Sequence, residues 1–154
     1  MIVRVVLAAA LLVGVCAQAT LSAPGIVAAG ARNAVEPRFE TAWTDLNSAL
    51  WMLTHTAAVR SKDPHYEQAV HALYAAIGAM DDGITNSRLR PTPPKAAGDG
   101  HARLHEALNF LTAADRLLGP PSGDRNAEPL RDRALMRTRE AITATRALVA
   151  ACRC

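Results

Sequence analysis

Two aspartates and two histidines are the residues of this sequence whose types and spacing could do chemistry. His101 and His105 are four residues apart, so on a helix both imidazoles project from one face. Such a pair can bind Zn²⁺, Ni²⁺ or Cu²⁺, and carboxylates are suitable further ligands. Asp81, Asp82, His101 and His105 are therefore a candidate metal site, because the helix arrangement derived below brings all four to one end of the protein.

An ion-pair cluster is the competing interpretation of the same residues, and the sequence favours it. Carboxylates at the C-terminal end of a helix oppose the helix dipole, so a positive group is expected near Asp81 and Asp82. Arg103 and the first backbone N–H groups of the next helix could supply it, as could Arg88 or Arg90. The positive end of a helix also repels a bound cation, which weakens the metal interpretation.

The elements that must position these residues are four amphipathic helices. In the first of them, apolar side chains recur at intervals of three and four residues, the period of one helix face. The apolar positions of this helix are Phe39, Trp43, Leu46, Leu50, Leu53 and Ala57. Three later segments repeat the pattern, and the four predicted helices cover about 37–59, 64–82, 101–118 and 127–151.

Helix-starting and helix-ending residues support these boundaries. Pro37 suits a first helical turn, and Asp63 and Asp99 are suitable N-caps. Gly83 and Gly119 are suitable residues to follow a helix end. A connection as short as 60–63 makes the helices on either side antiparallel neighbours.

The predicted fold is an all-α, up-and-down antiparallel four-helix bundle over residues 37–152, preceded by a flexible arm at 20–36 and interrupted by one long linker at 85–100. With each helix reversing the one before it, the start of helix three would lie beside the end of helix two. That arrangement is what would gather the candidate metal ligands.

Composition agrees with close helix packing and gives no support for nucleic-acid binding. The chain has 154 residues, of which 50% are hydrophobic, but only two Phe, two Trp and two Tyr. The net charge of +3 is spread among interleaved acidic residues, which gives no footprint for nucleic acid.

The first residues have the pattern of a secretory signal peptide. Arg4 forms a short positive region, Val5–Val15 is apolar, and Ala17–Ala19 matches an A-x-A cleavage site. We expect cleavage after Ala19, with Ala23 as the alternative, and a mature protein that is periplasmic or secreted. Cys16 as a lipidated residue is disfavoured by the bulky valine before it. No later segment is predicted to span a membrane.

Short motifs in three places resemble those of a group of small exported bacterial helical proteins. These motifs are Asp81–Gly83 (D-D-G), Arg103–His105 (R-L-H) and Leu130–Leu135 (L-R-D-R-A-L), and they follow an aromatic first helix. The group has no assigned activity, so the resemblance implies a helical fold and export. The long linker and the Cys-Arg-Cys end depart from the pattern.

The sequence predicts a non-catalytic structural or binding protein of the bacterial envelope, without a cofactor, acting on an unidentified protein or small molecule. No G-x-S-x-G, phosphate-binding glycine loop or H-E-x-x-H motif is present, so no enzyme is predicted. Metal binding or sensing by Asp81, Asp82, His101 and His105 is the alternative function. A thiol-redox role for Cys152 and Cys154 is a third.

Overall fold

Four α-helices form the described part of the chain, which in this computed structural model comprises residues 36–56, 63–82, 92, 94–95 and 98–152. Their bounds are α1 Pro37–Thr54, α2 Pro64–Asp81, α3 Gly100–Leu118 and α4 Glu128–Ala151. No strand occurs within those ranges. The prediction of an all-α four-helix bundle is confirmed. The predicted signal peptide and the predicted arm, except its last residue Glu36, lie outside the described residues.

The first three helices begin at the proline and the two N-cap aspartates that the sequence predicted. Pro37 occupies the first turn of α1, and the carboxylates of Asp63 and Asp99 accept hydrogen bonds from the backbone N–H groups of His65 and Ala102. The ends of α2, α3 and α4 lie within one residue of expectation, and only the end of α1 differs by more. α1 ends at Thr54 and not near residue 59. The carbonyl of the next residue, His55, accepts a hydrogen bond from the Arg103 guanidinium at 2.6 Å.

The core is built from the apolar faces that the residue spacing predicted. The apolar residues that recur at intervals of three and four along α3 are all buried, and they are Leu104, Ala107, Leu111, Ala114 and Leu118. The apolar positions named for α1 are buried or partly buried where the structure describes them. Alanine is prominent among the buried residues of α2 and α4. These alanines are Ala69, Ala72, Ala76, Ala79, Ala134, Ala141 and Ala144. Small side chains let two helix backbones approach closely, and α2 packs chiefly against α4.

Hydrogen bonds between the helices establish their directions. We call the end of the bundle that holds Pro37 the lower end and the end that holds Thr54 the upper end. The Trp43 indole N–H of lower α1 donates to the end of α2, at Asp81, so α2 runs downward. Arg103 at the start of α3 reaches the end of α1, and Arg38 at the start of α1 reaches Pro120 beyond the end of α3, so α3 also runs downward.

The chain order of the bundle is therefore up, down, down and up. α4 begins beside the end of α3, where the Arg131 guanidinium lies near the Leu118 carbonyl, and it rises along α3 through the Arg139–Asp115 ion pair at 2.8 Å. The contacting pairs are α1–α2, α1–α3, α2–α4 and α3–α4, so every helix is antiparallel to both of its neighbours. α2 and α3 are parallel to each other and lie diagonally across the core.

The expectation that the start of helix three lies beside the end of helix two is wrong. Residues 83–99, which we call the strap, connect the lower end of α2 to the upper end of α3. An 18-residue helix such as α2 is about 27 Å long. The strap can reach about 55 Å when extended, which is ample for this crossing.

Glu36 and Arg38 fasten the start of α1 to the turn between α3 and α4. Arg38 donates to the carbonyls of Pro120 and Pro121 at 2.9 and 2.6 Å, and its Nε donates to Glu36 at 2.6 Å. The other oxygen of Glu36 accepts from the hydroxyl of Ser122 at 2.9 Å and from the next backbone N–H at 3.0 Å. We call this group of contacts the latch. The hydrogen bond from Arg38, followed by that from Ser122, lowers the pKa of Glu36.

We expect Glu36→Gln to lower the free energy of unfolding at pH 7 by about 1 kcal/mol, since solvent partly screens this pair, whose side chains are both partly exposed. Because the folded-state pKa of Glu36 lies below its ordinary 4.5, its stabilising effect is present above pH 4.5 and disappears as the pH falls through the folded-state value. Urea unfolding at several pH values measures this. Glu40→Gln is the control, since the Glu40 side chain makes none of the latch contacts. An equal loss in both variants, or a loss that persists at low pH, would contradict the expectation.

Asp45 of α1 is a half-buried carboxylate whose pKa is shifted in the direction opposite to that of Glu36. Burial raises its pKa, and no ion pair or hydrogen bond to its side chain is found in the described part of the chain. We expect Asp45→Asn to increase the free energy of unfolding at pH 7. The increase should shrink as the pH falls through the raised folded-state value and vanish below the ordinary 3.8, where the carboxyl is protonated in both states. A variant less stable than the native chain in urea at pH 7 would reveal a stabilising role for this carboxylate.

Candidate functional site

The four residues of the candidate metal site lie at two different ends of the bundle. Asp81 and Asp82 close α2 at the lower end, whereas His101 and His105 are in the first two turns of α3 at the upper end. The strap separates them because it crosses the length of the bundle before α3 begins. Across the ranges that the structure describes, no three His, Cys, Asp or Glu side chains are grouped so that they could hold a metal ion.

The expected ion-pair cluster also takes a different form. Asp81 and Asp82 are both exposed, and Asp81 accepts a hydrogen bond from the Trp43 indole at 2.7 Å. Arg103, which was expected to neutralise them, donates to the His55 carbonyl at the other end. Arg88 and Arg90 lie outside the described residues. An indole N–H, a neutral donor, therefore compensates the unfavourable position of Asp81.

His101 and His105 remain close to each other. Their ring centroids are 4.5 Å apart, with the rings nearly perpendicular, and His105 is exposed while His101 is half-buried. Cys152 lies at the end of α4 and is disulfide-bonded, and the remaining cysteines, Cys16 and Cys154, lie outside the described residues. A disulfide-bonded sulfur is not a thiolate ligand, so Cys152 in this state adds nothing to a metal site.

A cavity of about 360 Å³ lies between α1, α2 and the strap. Its size is within the range typical of small-molecule sites. The lining is mostly apolar and includes two aromatic rings, one from each helix. The lining residues are Asn47, Leu50, Trp51, Thr54, Tyr74, Thr92 and Pro94.

Trp51 is held in place on the side of α1 that lines the cavity. Its ring stacks on the His55 imidazole, with centroids 4.3 Å apart and the planes inclined by 15°. The His55 Nδ1 atom lies 2.9 Å from the Trp51 carbonyl and 3.2 Å from the Thr54 hydroxyl, so the imidazole is itself fixed. Tyr74 of α2 is 58% exposed, which is unusual for a large hydrophobic residue and leaves its ring accessible to a ligand.

The polar groups of the lining are few, and some are already used by α1. The Asn47 side-chain amide donates to the Trp43 carbonyl at 2.9 Å, and the Thr54 hydroxyl donates to the Leu50 carbonyl at 2.9 Å. The Asn47 Oδ1 atom, the Tyr74 hydroxyl and the Thr92 hydroxyl have no hydrogen-bond partner among the described residues. The cavity thus combines an apolar wall with a small number of available hydrogen-bonding groups.

Sequence reasoning did not identify this cavity. Trp51 is not one of the regularly spaced apolar positions of α1, and the sequence pattern gave Tyr74 no functional role. The available signal was the presence of two large aromatic residues, each just outside the apolar face of its helix. The cavity also depends on the strap crossing over α1 and α2, which the expected helix order does not provide.

Comparison with protein-family models, with curated proteins and with solved structures gives no significant match for this chain. None of the described helices has both the length and the hydropathy needed to cross a membrane.

Proposed function

We propose that this chain is a non-catalytic binding protein of the bacterial envelope whose small-molecule ligand occupies the cavity between α1, α2 and the strap. The observation that carries the proposal is the cavity itself, an apolar space with an aromatic ring from each of two helices. The apolar lining of such a space faces water when the site is empty. A bound ligand would remove this apolar surface from water, which is favourable.

The shape of the bundle supports a site at this place. The helices form a rigid support for Trp51 and Tyr74, while Thr92 and Pro94, which lie outside any helix, are contributed by the connection between α2 and α3. Ligand-contacting groups are commonly carried on connecting segments that a rigid scaffold positions.

Titration of the purified protein with N-phenyl-1-naphthylamine, an uncharged dye whose fluorescence rises in apolar surroundings, tests the proposal. We expect saturable binding that Tyr74→Leu weakens about tenfold, equivalent to about 1.4 kcal/mol. Tyr66→Leu is the matched control, because Tyr66 is a partly buried tyrosine of the same helix that does not line the cavity. Dye binding that is absent, or equally weakened by both substitutions, would overturn the proposal.

Export is proposed on the basis of the first residues. Arg4, the apolar run Val5–Val15 and the A-x-A site at Ala17–Ala19 support removal of the leader and a mature protein in the periplasm or beyond. The mass of the protein recovered from the envelope or medium tests this, with Thr20 as the expected first residue. Retention of the complete chain in the cytoplasm would contradict export.

Metal binding is the second candidate function, and the close approach of His101 and His105 favours a form of it that uses these two residues without Asp81 and Asp82. A neutral imidazole pair at this spacing suits Cu²⁺, Ni²⁺ or Zn²⁺. Titration with each metal should give binding that His101→Ala or His105→Ala abolishes and that the exposed control His71→Ala leaves unchanged. Failure to bind any of the three metals at micromolar concentration would end this hypothesis.

A further inference from the structure

The cavity presents no ionised side chain among the described residues that line it. The described lining residues carry aromatic, aliphatic, proline, threonine and asparagine side chains, and none of them is Asp, Glu, Lys, Arg or His. A charged ligand entering this space would leave water without meeting an opposite charge, and the desolvation of an ion is strongly unfavourable. The described part of the wall therefore offers no counter-charge to an ion.

The aromatic rings of the wall select for a particular ligand shape. Trp51 is contributed by α1 and Tyr74 by α2, and stacking on His55 fixes the orientation of Trp51 before any ligand arrives. Aromatic rings interact best with other rings in offset-stacked or edge-to-face geometry, and a fixed ring loses little conformational freedom on binding.

The available polar groups define what the ligand must carry besides its rings. The Asn47 Oδ1 atom is an acceptor, since the amide nitrogen of the same side chain already donates to the Trp43 carbonyl. The hydroxyls of Tyr74 and Thr92 can each donate or accept. One N–H or O–H group on the ligand would satisfy the asparagine oxygen.

We infer that the ligand class of this cavity is an uncharged, flat aromatic molecule that carries one or two hydrogen-bonding groups. This inference rests on the proposed function and specifies the ligand of the same site. It assigns Trp51 and Tyr74 to ring contacts and Asn47 to the hydrogen bond from the ligand.

Two dyes that share a skeleton and differ in one charged group test the inference. N-phenyl-1-naphthylamine is neutral, and 8-anilino-1-naphthalenesulfonate has the same rings and N–H group with an added sulfonate. Binding of both is followed by quenching of Trp51 in Trp43→Phe protein, in which Trp51 is the remaining tryptophan. We expect the neutral dye to bind at least about tenfold more tightly.

Adding a positive charge to the wall should reduce this preference. Thr92 is exposed on the strap, so Thr92→Lys places a counter-charge at the cavity with little effect on the helix core. We expect the sulfonated dye to bind about tenfold more tightly to the Thr92→Lys variant than to the protein that keeps Thr92. Asn126→Lys is the matched control, since it adds the same charge at an exposed turn residue at the lower end that does not line the cavity.

The outcomes separate the ligand class from the proposed function. Equal or tighter binding of the sulfonated dye, with Tyr74→Leu still weakening both dyes, would overturn the inference about charge and leave the binding function supported. Equal enhancement by Thr92→Lys and Asn126→Lys would show a general charge effect and would also overturn the inference. Quenching of Trp51 by neither dye would overturn both the inference and the proposed function.

Discussion

Replacing Trp43 by alanine should lower the free energy of unfolding by about 3–5 kcal/mol, the usual cost of removing a large buried aromatic side chain. Trp43 is only 7% exposed and lies in the core formed by all four helices. Its indole N–H also donates to Asp81 at 2.7 Å, so the substitution removes the partner of a carboxylate that opposes the dipole of α2. Chemical denaturation followed by circular dichroism measures the change.

Trp43→Phe separates the two contributions. Phenylalanine keeps most of the buried apolar area and removes the hydrogen bond to Asp81, so we expect a loss of about 1 kcal/mol beyond any repacking. Asp81→Ala should then recover part of this loss in the Trp43→Phe background, because it removes a carboxylate that opposes the dipole of α2 and has lost its donor. A Trp43→Ala protein as stable as the native chain would show that α1 does not pack in the core as described.

Replacing Ala76 by leucine should lower the free energy of unfolding by about 1–3 kcal/mol through overpacking. Ala76 of α2 is fully buried among the small residues that allow close helix packing, and the three additional carbon atoms have no space to occupy. The loss is measured by urea unfolding, and a lower melting temperature should accompany it.

Ala75→Leu is the matched control, because Ala75 is the preceding residue of the same helix and is exposed. Leucine and alanine have similar helix propensities, so this substitution should change stability by a few tenths of a kcal/mol at most. Equal effects at Ala75 and Ala76 would mean that the orientation of α2 in the bundle is different from the one described.

The helices themselves could be predicted from the sequence because their determinants are local. The apolar period of each segment identifies the buried face, and Pro37, Asp63 and Asp99 identify three helix starts. The end of α1 was missed because it depends on a distant residue, Arg103, which donates to the His55 carbonyl. An interaction between residues so far apart in the chain leaves no local pattern.

The order in which the helices contact one another could not be predicted in the same way. The apolar faces indicate that four helices share a core, but not which helices are neighbours. The strap is long enough either to turn back beside α2 or to cross the bundle. The observed choice depends on contacts such as Arg38 with Pro120 and Trp43 with Asp81, and no periodicity reveals these.

The incorrect expectation about which helices are neighbours explains most of what could not be predicted about the candidate site. With α3 placed beside the end of α2, Asp81 and His101 were expected to meet, whereas the crossing strap puts them at opposite ends. The same crossing brings Thr92 and Pro94 over Trp51 and Tyr74 and so creates the cavity. Residue spacing predicted proximity correctly only where both residues belong to one helix, as with His101 and His105.

The diagonal placement of α2 and α3 has a consequence for how the chain folds. The helix pairs α1–α3 and α2–α4 join segments that are distant in sequence, and neither the α1–α2 half nor the α3–α4 half contains both members of either pair. Either helix pair alone, α1–α2 or α3–α4, would leave its apolar face exposed to water. Closing the loop between the halves must therefore precede most of the stabilising burial, which predicts slower and more cooperative folding than in a bundle whose consecutive helices are all neighbours.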